Sequence, residues 1–244
     1  MRQVSNHADD SRSCQPDRLR RLLLGMPLLL AWPAHSEAAA LVIARPDESP
    51  TPMMLDIQQR ILAAYRQLGV RAVVHSLPPK RSAAYALADK VDAELLRVQL
   101  TAARNAFLRV ETPLVRLQVM ALTHGRELPL SGIQALRDYK VVIPAGIQAL
   151  EDVASHARTV EAVPDYDSGI RMLVQGRADI ALQLAANPAS LLAEYRAVWQ
   201  AQDVRVSNNQ LAEYTAYHFI SPRHRALLPP LADAFHAQGL PIQP

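Results

Sequence analysis

Arginine residues at the ends of predicted helices and strands are the side chains of this chain best suited to bind a charged ligand. Arg81 falls in the first turn of a predicted helix, and Arg97 ends the next predicted strand on the same face as Ala93 and Leu95. A guanidinium group can hold a carboxylate or phosphate through two parallel hydrogen bonds, although a single arginine is more commonly a rim residue whose stem packs against apolar neighbours. Parallel-sheet geometry could aim Arg81 and Arg97 at one crevice, with Arg104 in the following loop, so the pattern predicts an anion site there.

Four further residues stand where predicted loops and helix ends would meet such a crevice. Arg45 and Asp47 follow the first predicted strand and could add one contact of each sign. Gly146 precedes a predicted helix and could offer backbone N–H groups to an anion, although a plain turn explains this glycine equally well. Ser168 stands at the start of another predicted helix and could add a hydroxyl group from across the crevice.

Motifs for covalent or metal chemistry are absent from the sequence. It contains no nucleophile elbow, no phosphate-binding loop and no zinc-protease helix, and Cys14 is the only cysteine. His218, His224 and His236 lie near one another in sequence, but no two of them stand four residues apart, as a metal-binding pair on a helix would. We therefore expect no cofactor and no metal.

The elements that must position these residues alternate between strand and helix. A β-α-β-α-β unit is followed by a second α/β unit, and the last strand and helix return to the first. This order predicts an α/β fold of two lobes, each a mostly parallel sheet flanked by helices, with two hinge crossings between them. We expect lobe 1 to comprise residues 41–117 and 214–244, and lobe 2 residues 118–213. The predicted strands are 41–44, 70–75, 91–98, 115–123, 140–144, 159–163, 178–184, 204–206 and 213–220, and the predicted helices are 54–68, 79–89, 133–136, 146–154, 167–175 and 222–236.

Asp92, Thr101, Arg104 and Pro113 within the segment 89–114 match the positions of a known family pattern, and Pro78, Arg81-Ser82, 92–98 and 108–114 match a divergent proteobacterial branch of that family. Through these positions the segment is similar to the family 3 solute-binding proteins, periplasmic proteins that serve ABC importers of polar amino acids. The resemblance implies the type II periplasmic-binding-protein fold, binding of a small polar solute without catalysis, and an inner-membrane ABC permease as a partner.

Two features of the amino-acid binders in this family are missing. The first crevice loop usually carries an aromatic residue that stacks on the ligand, but PDESPTPMM at 46–54 has none. An acid that pairs with the ammonium group of the ligand usually follows a Gly-Arg-x-Asp pattern, but after Asp179 the residues ALQLAANPAS contain no acid. Asp179 itself is better explained as a brace of the fold. These departures favour an anionic or neutral organic ligand over a standard amino acid.

The first forty residues have the order of a secretory signal. Arg18, Arg20 and Arg21 precede an apolar run at 22–32, and small residues follow it. A buried core helix is the alternative, but Pro27 interrupts the run. Export to the periplasm is therefore expected, with residues 1–40 as signal peptide and leader. The rest of the chain has no apolar run long enough to span a membrane and no basic run typical of nucleic-acid binding, so we expect neither a membrane-embedded nor a nucleic-acid-binding protein.

Two other functions remain open at the level of sequence. The fold could serve as a sensory or accessory module without a role in transport, which the eroded ligand pattern would suit. It could also serve as an enzyme resembling the prephenate-type dehydratases, for which Glu94, Glu111 and His75 are the available acids or bases. Strand alternation puts Glu94 on the face opposite Arg97, which argues against both acting on one substrate. We expect a monomer that binds a small molecule and is not an enzyme.

Overall fold

The computed structural model of the protein describes residues 39–46, 51–98, 106–187, 189, 191, 203–207 and 210–242. Residues 1–38 of the predicted leader, together with Asp47 and Arg104, lie outside the described residues. The described elements confirm the predicted alternation of strands and helices. The strands are β1 Leu41–Arg45, β2 Ala72–Ser76, β3 Ala93–Val98, β4 Leu108–His124, β5 Lys140–Pro144, β6 Thr159–Val163, β7 Ile180–Ala185, β8 Val204–Val206 and β9 Ala212–Ile220. The helices are α1 Pro52–Gln67, α2 Pro79–Leu87, α3 Gln148–Ala154, α4 Tyr166–Val174 and α5 Leu228–Ala237, with 3-10 turns at Ile133–Asp138 and Pro222–Leu227.

The first helix shows how the local sequence determines an element. The hydroxyl oxygen of Thr51 accepts a hydrogen bond from the N–H of Met54, and Pro52 stands in the first turn, where its missing N–H costs nothing. Ile61 and Tyr65 are fully buried on the face that packs against the sheet. The helix ends before Gly69, whose φ of +70° suits a left-handed terminal residue.

The described strands form one sheet in the order β2-β1-β3-β9-β4-β7-β5-β6, with β8 paired to β4. The pairs β1–β2, β1–β3, β5–β6 and β5–β7 are parallel, whereas β9 runs antiparallel to both β3 and β4. We call β1, β2 and β3 with the adjoining parts of β4 and β9 the first half, and β5, β6 and β7 with the remaining parts the second half. Two long strands thus join the halves, and the predicted return of the chain is confirmed. The exact lobe bounds stay a prediction.

Strand β4 begins well before the predicted start at residue 115. Residues 108–114 carry Pro113 and two charged residues, a composition that argues against a central strand. The structure accommodates the proline through register shifts in the β4–β9 pairing on both sides of Pro113. Tertiary pairing with β9 therefore extends β4 through residues that local preference would leave in a loop.

A β-bulge in β3 overturns the predicted face of Arg97. Glu94 pairs with Phe219 of β9, but Arg97 pairs with Tyr217, so that two residues of β3 lie opposite one residue of β9. The extra residue reverses the alternation between the two positions. Arg97 therefore lies on the same face as Glu94, and the prediction that it shares a face with Ala93 and Leu95 is wrong.

Apolar clusters cover both halves of the sheet. In the first half, residues of α1 and α5 pack with β3 and β4 around Tyr65 and Phe235, both fully buried. In the second half, α3 packs on the face that carries Val141, and α4 packs on the opposite face, which carries Val142. Among the described residues, no helix has the length and apolar character needed to cross a bilayer.

Candidate ligand-binding site

A cavity of about 1100 Å³ lies between the two halves of the molecule. Apolar side chains form most of the described wall, and the charged groups in it are Lys80, Glu94, Arg97, Arg109 and Glu151. The other described lining residues are Pro46, Thr51, Met53, Met54, Pro79, Ser82, Ala83, Ala84, Leu87, Leu96, Val98, Phe107, Leu108, Leu117, Ala145, Gly146, Ile147, Gln148, Ala162, Tyr166, Leu184 and Phe219.

Arg97 is held in this wall by contacts with a carboxylate and an aromatic ring. Its Nη1 atom donates a hydrogen bond to Oε2 of Glu94 at 2.7 Å, and its guanidinium carbon lies 3.8 Å from the centre of the Phe219 ring. Burial lowers the pKa of Arg97, and the carboxylate of Glu94 acts in the opposite direction. The guanidinium group remains charged because an arginine does not lose its proton in proteins. The site therefore presents a fixed and partly desolvated positive charge.

A second arginine lies across β9 from the first. Arg109 of β4 pairs in register with Phe219, and its guanidinium carbon lies 4.6 Å from the centre of the Tyr217 ring. Arg109 also forms an ion pair with Glu111. We call the set Arg97, Arg109, Tyr217 and Phe219 the arginine platform. In both arginines the guanidinium carbon thus lies over an aromatic face, in a cation–π contact that limits the orientation of the group.

The halves touch each other where the loop after β5 meets the start of α2. A Cβ atom on Gly146 would lie only 2.6 Å from both the Cα and the N atoms of Lys80. Gly146 has a φ of +91°, and its N–H donates a hydrogen bond to Oε1 of Glu151 at 3.0 Å. Backbone thus packs on backbone at this edge of the cavity, and the contact requires a glycine.

The structure brings only two of the predicted ligand-binding residues to the described cavity wall, namely Arg97 and Gly146. The N–H of Gly146 is bonded to Glu151, which contradicts the prediction that it is unpaired. Arg81 is exposed and is not among the described lining residues; its neighbours Lys80 and Ser82 line the cavity instead. Ligand contact by any of these residues stays a prediction.

Arg45 and Ser168 also lie away from the described cavity wall. Arg45 donates hydrogen bonds to the side chains of Gln58 and Ser76. The hydroxyl group of Ser168 accepts a hydrogen bond from Arg171 at 2.8 Å. Asp47 and Arg104 fall outside the described residues, so their predicted roles are not placed.

Sequence reasoning missed most of the polar residues at the site. Strand alternation separates Glu94 from Arg97 because it assumes a regular strand, and a bulge leaves no clear signal in sequence. Arg109 lies in a stretch that the sequence suggested was a loop. Phe219, at the end of the last strand, supplies an aromatic face of the kind that the first crevice loop lacks. Asp179, in contrast, accepts a hydrogen bond from the N–H of Lys140, which confirms its structural role.

No protein-family model and no curated protein sequence matches the chain. Solved structures match its fold. The holo form of ArgBP from T. maritima has a TM-score of 0.67 at 14% identity, over 82% of this chain and 90% of that one. The substrate-binding protein of an amino acid ABC transporter has a TM-score of 0.65 at 12% identity, over 82% and 93%. A histidine kinase sensor domain with similarity to periplasmic binding proteins has a TM-score of 0.67 at 13% identity, over 81% and 89%.

At these identities the likeness establishes the architecture and leaves the ligand open. The chain therefore has the two-lobed α/β fold of the type II periplasmic binding proteins.

Proposed function

We propose that this protein is an exported solute-binding protein that holds a small organic anion between its two lobes. The observation that carries the proposal is Arg97, fixed in the cavity wall between Glu94 and the ring of Phe219. A cation held in one geometry loses little conformational entropy when it binds a carboxylate. The fold supplies the two lobes, and the cavity supplies the space.

The balance of charge at the cavity favours an anion. Lys80, Arg97 and Arg109 bring three positive charges to the described wall, against two negative charges from Glu94 and Glu151; Glu111, the ion-pair partner of Arg109, is exposed and is not among the described lining residues. Glu94 is bonded to Arg97, and Glu151 accepts the N–H of Gly146. Both carboxylates thus already accept hydrogen bonds from groups of the protein, which reduces their ability to bind the ammonium group of an amino acid.

The apolar wall favours an anion that also has an apolar body. Met54, Leu87, Phe107, Leu117 and Ile147 are among the described apolar residues that line the cavity. Burial of apolar ligand surface against such residues contributes about 25 cal/mol per Å². Ligand pockets commonly measure about 300–1000 Å³, so this cavity has room for a solute of drug size. We infer a monocarboxylate with an aliphatic or aromatic body.

A melting-temperature screen followed by calorimetry tests the proposal. The panel comprises octanoate, 4-phenylbutyrate, glutarate, inorganic phosphate, arginine and glutamine. A ligand that binds the folded state raises its stability in proportion to ln(1 + [L]/Kd), so the two apolar monocarboxylates should raise the melting temperature most. Arg97→Gln should weaken their binding by roughly 10- to 100-fold, because a charge-assisted hydrogen bond contributes about 1.5–3 kcal/mol.

Arg177→Gln is the matched control, because Arg177 is exposed and lies in the loop before β7, away from the described cavity wall. It should bind like the wild type. Preference for arginine or glutamine would contradict an anionic ligand. Equal binding by the Arg97→Gln variant would contradict the role of Arg97, and no binding by the whole panel would count against the proposed ligand class.

We further propose that the protein acts in the periplasm as the substrate-binding component of an ABC importer. The apolar run at 22–32 supports export, and the likeness to the substrate-binding protein of an ABC transporter supports transport. Expression in a Gram-negative host should yield a periplasmic protein shortened near residue 40, which mass spectrometry would reveal. A full-length protein retained in the cytoplasm would contradict export.

A sensory module is the second candidate function, and the likeness to a histidine kinase sensor domain favours it. Genes beside the coding sequence distinguish the two candidates. A permease and an ATPase would support import, whereas a kinase or a diguanylate cyclase would support sensing.

The dehydratase alternative loses one of the arguments against it. Glu94 and Arg97 are hydrogen-bonded to each other in the same cavity. Their positions therefore no longer argue against both acting on one substrate. Of the other two candidate groups, Glu111 is exposed and paired with Arg109, and His75 is exposed on the edge strand β2. We propose a binding protein without catalysis, and incubation with prephenate or arogenate should leave the ultraviolet absorbance of the substrate unchanged.

A further inference from the structure

His218 is a fully buried histidine whose two ring nitrogens are both hydrogen-bonded. Its Nδ1 atom lies 3.1 Å from the carbonyl oxygen of Leu95, and its Nε2 atom lies 2.9 Å from the hydroxyl oxygen of Tyr65. A carbonyl oxygen can only accept, so Nδ1 carries the proton and Nε2 accepts from Tyr65. The neighbouring rings of Tyr65 and Phe235 meet the imidazole edge-on, with centroids 5.8 and 5.6 Å away. The imidazole is therefore fixed in orientation and in tautomer.

The bonded carbonyl belongs to the bulge of β3. His218 lies on β9 between Tyr217, which pairs with Arg97, and Phe219, which pairs with Glu94. His218 is thus the single β9 residue opposite the two β3 residues of the bulge, Leu95 and Leu96. A bulge interrupts the regular ladder of backbone hydrogen bonds, and here a side chain from the opposite strand binds the carbonyl of one bulged residue.

We propose that His218 is a positioning residue, which holds the bulge that turns Arg97 toward Glu94 and Phe219. If β3 were regular through these positions, strand alternation would put Arg97 on the face opposite Glu94. The hydrogen bond to Leu95 favours the bulged pairing over the regular one, and Tyr65 keeps the imidazole in the tautomer that can make it. The importance of this arrangement for ligand binding rests on the proposed function, whereas the arrangement itself can be tested without a ligand.

The direct test is the NMR signal of the Arg97 side chain. Protons held over an aromatic face are shifted upfield, so the δ-methylene and Nε–H signals of Arg97 should be shifted by the Phe219 ring. Phe219→Leu should abolish the shift and identify its source. His218→Leu removes the donor to Leu95 and should also abolish it, because Arg97 leaves the ring.

A second variant separates the hydrogen bond from general packing. In Tyr65→Phe with His218→Asn, the asparagine amide takes the place of Nδ1, and the phenylalanine removes the hydroxyl group that would lose its acceptor. This double variant should restore the Arg97 shift. If His218→Leu does not fold, His218→Gln makes the same comparison, since its amide reaches the Nε2 position and leaves Leu95 unbonded.

Leu231→Ala is the control for lost stability. Leu231 belongs to the core cluster that contains Tyr65 and Leu95, but it lies on α5. It should lower the melting temperature and leave the Arg97 signals in place. An unchanged Arg97 shift in His218→Leu or His218→Gln would overturn the proposal, as would loss of the shift in Leu231→Ala.

Binding of 4-phenylbutyrate provides the second readout. It should weaken about tenfold or more in His218→Leu, because small displacements of a binding group are costly, and it should recover in the double variant. If the NMR result holds but the wild type does not bind this probe, the proposed ligand class is wrong while the positioning role stands. If the wild type binds it and the Arg97 shift is unaffected by His218→Leu, the positioning role is wrong.

Discussion

Arg97 combines two kinds of contact that act differently on a ligand. The ring of Phe219 removes water from one face of the guanidinium group, and Glu94 fixes its direction within the plane. The Arg97–Glu94 ion pair is largely buried, with 26% and 9% of the two side chains exposed, so the cost of removing both charges from water offsets much of their attraction. Its value lies in orientation, because an oriented arginine can meet a carboxylate without first searching among rotamers.

A double-mutant cycle measures the stacking between Arg97 and Phe219. We expect Arg97→Gln and Phe219→Leu to show a coupling energy of about 0.5–2 kcal/mol in the free energy of unfolding, the range found for cation–π pairs. Urea unfolding of the wild type, the two single variants and the double variant gives this energy. Strict additivity would mean that the ring only lines the cavity and does not hold the arginine.

His218 should make the stability of the protein depend on pH in a narrow window. Burial lowers the pKa of His218 from 6.5 to about 4, although the hydrogen bond to Leu95 acts in the opposite direction. Between pH 6.5 and pH 4 the imidazole is therefore protonated in the unfolded chain but stays neutral in the folded protein. The contribution of this group to the free energy of unfolding is complete above pH 6.5 and falls as the pH decreases toward 4. We expect a loss on the order of 2–3 kcal/mol between pH 7 and pH 4.5 from this group.

Urea unfolding at a series of pH values checks this expectation. The Tyr65→Phe, His218→Asn double variant should show a smaller loss over the same range, since it has no imidazole at this position. Identical pH profiles for the two proteins would mean that other groups cause the acid sensitivity.

At the scale of elements, one carboxylate ties the C-terminal part of the chain to the first half of the sheet. Oδ1 of Asp92 accepts hydrogen bonds from Arg223 at 3.0 Å and from His224 at 2.6 Å, while Oδ2 accepts from the N–H of Val42 at 2.8 Å. Arg223 also reaches Asp89. The loop before β3, strand β1 and the turn before α5 thus share this carboxylate.

Asp92→Asn should destabilise the protein by about 1–3 kcal/mol, because an amide cannot accept all of these donors. Burial alone would raise the pKa of Asp92, but hydrogen bonds from Val42, His224 and Arg223 lower it below its ordinary value. The contribution is therefore present above about pH 4 and is lost as the pH falls through the lowered pKa. Chemical unfolding at pH 7 and pH 3 should show a large difference between the two proteins at pH 7 and a smaller one at pH 3.

Sequence patterns predicted the elements better than the contacts among them. Buried strands such as β5 and β7 were located from short apolar runs, and Asp92 was matched to its family position although its partner Arg223 was not foreseen. The bulge in β3 could not be predicted, since it depends on a buried histidine more than a hundred residues away in the chain. The arginine platform depends on this bulge and on the position of β9 between β3 and β4. Only the tertiary fold determines that position.

At the scale of the whole molecule, the contact of Gly146 with Lys80 limits how closely the two lobes can approach. Gly146→Ala places a methyl group 2.6 Å from backbone atoms of Lys80, so the lobes should be held apart. We expect weaker binding of 4-phenylbutyrate and a larger radius of gyration in the presence of the ligand, measured by small-angle X-ray scattering.

Gly176→Ala is the matched control for this prediction. Gly176 has a similar positive φ of +68°, but a methyl group there would meet no atom within 4 Å. Both variants therefore carry the backbone strain of alanine at positive φ, of order 1 kcal/mol, and only Gly146→Ala carries the clash. Equal scattering curves for both variants with ligand would show that this contact does not limit closure.

The position of β9 between β3 and β4 has a consequence for the order in which the protein can be made. Strands β3 and β4 are joined in the sheet only through residues 212–220, and the core around Tyr65 is completed by Phe235 of α5. While the chain is being synthesised from its amino end, the first three strands must wait for residues 212–235 before their sheet and core can close. The native structure of the first half therefore cannot form until residue 235 has been made, so the export proposed above would act on a chain that is still unfolded.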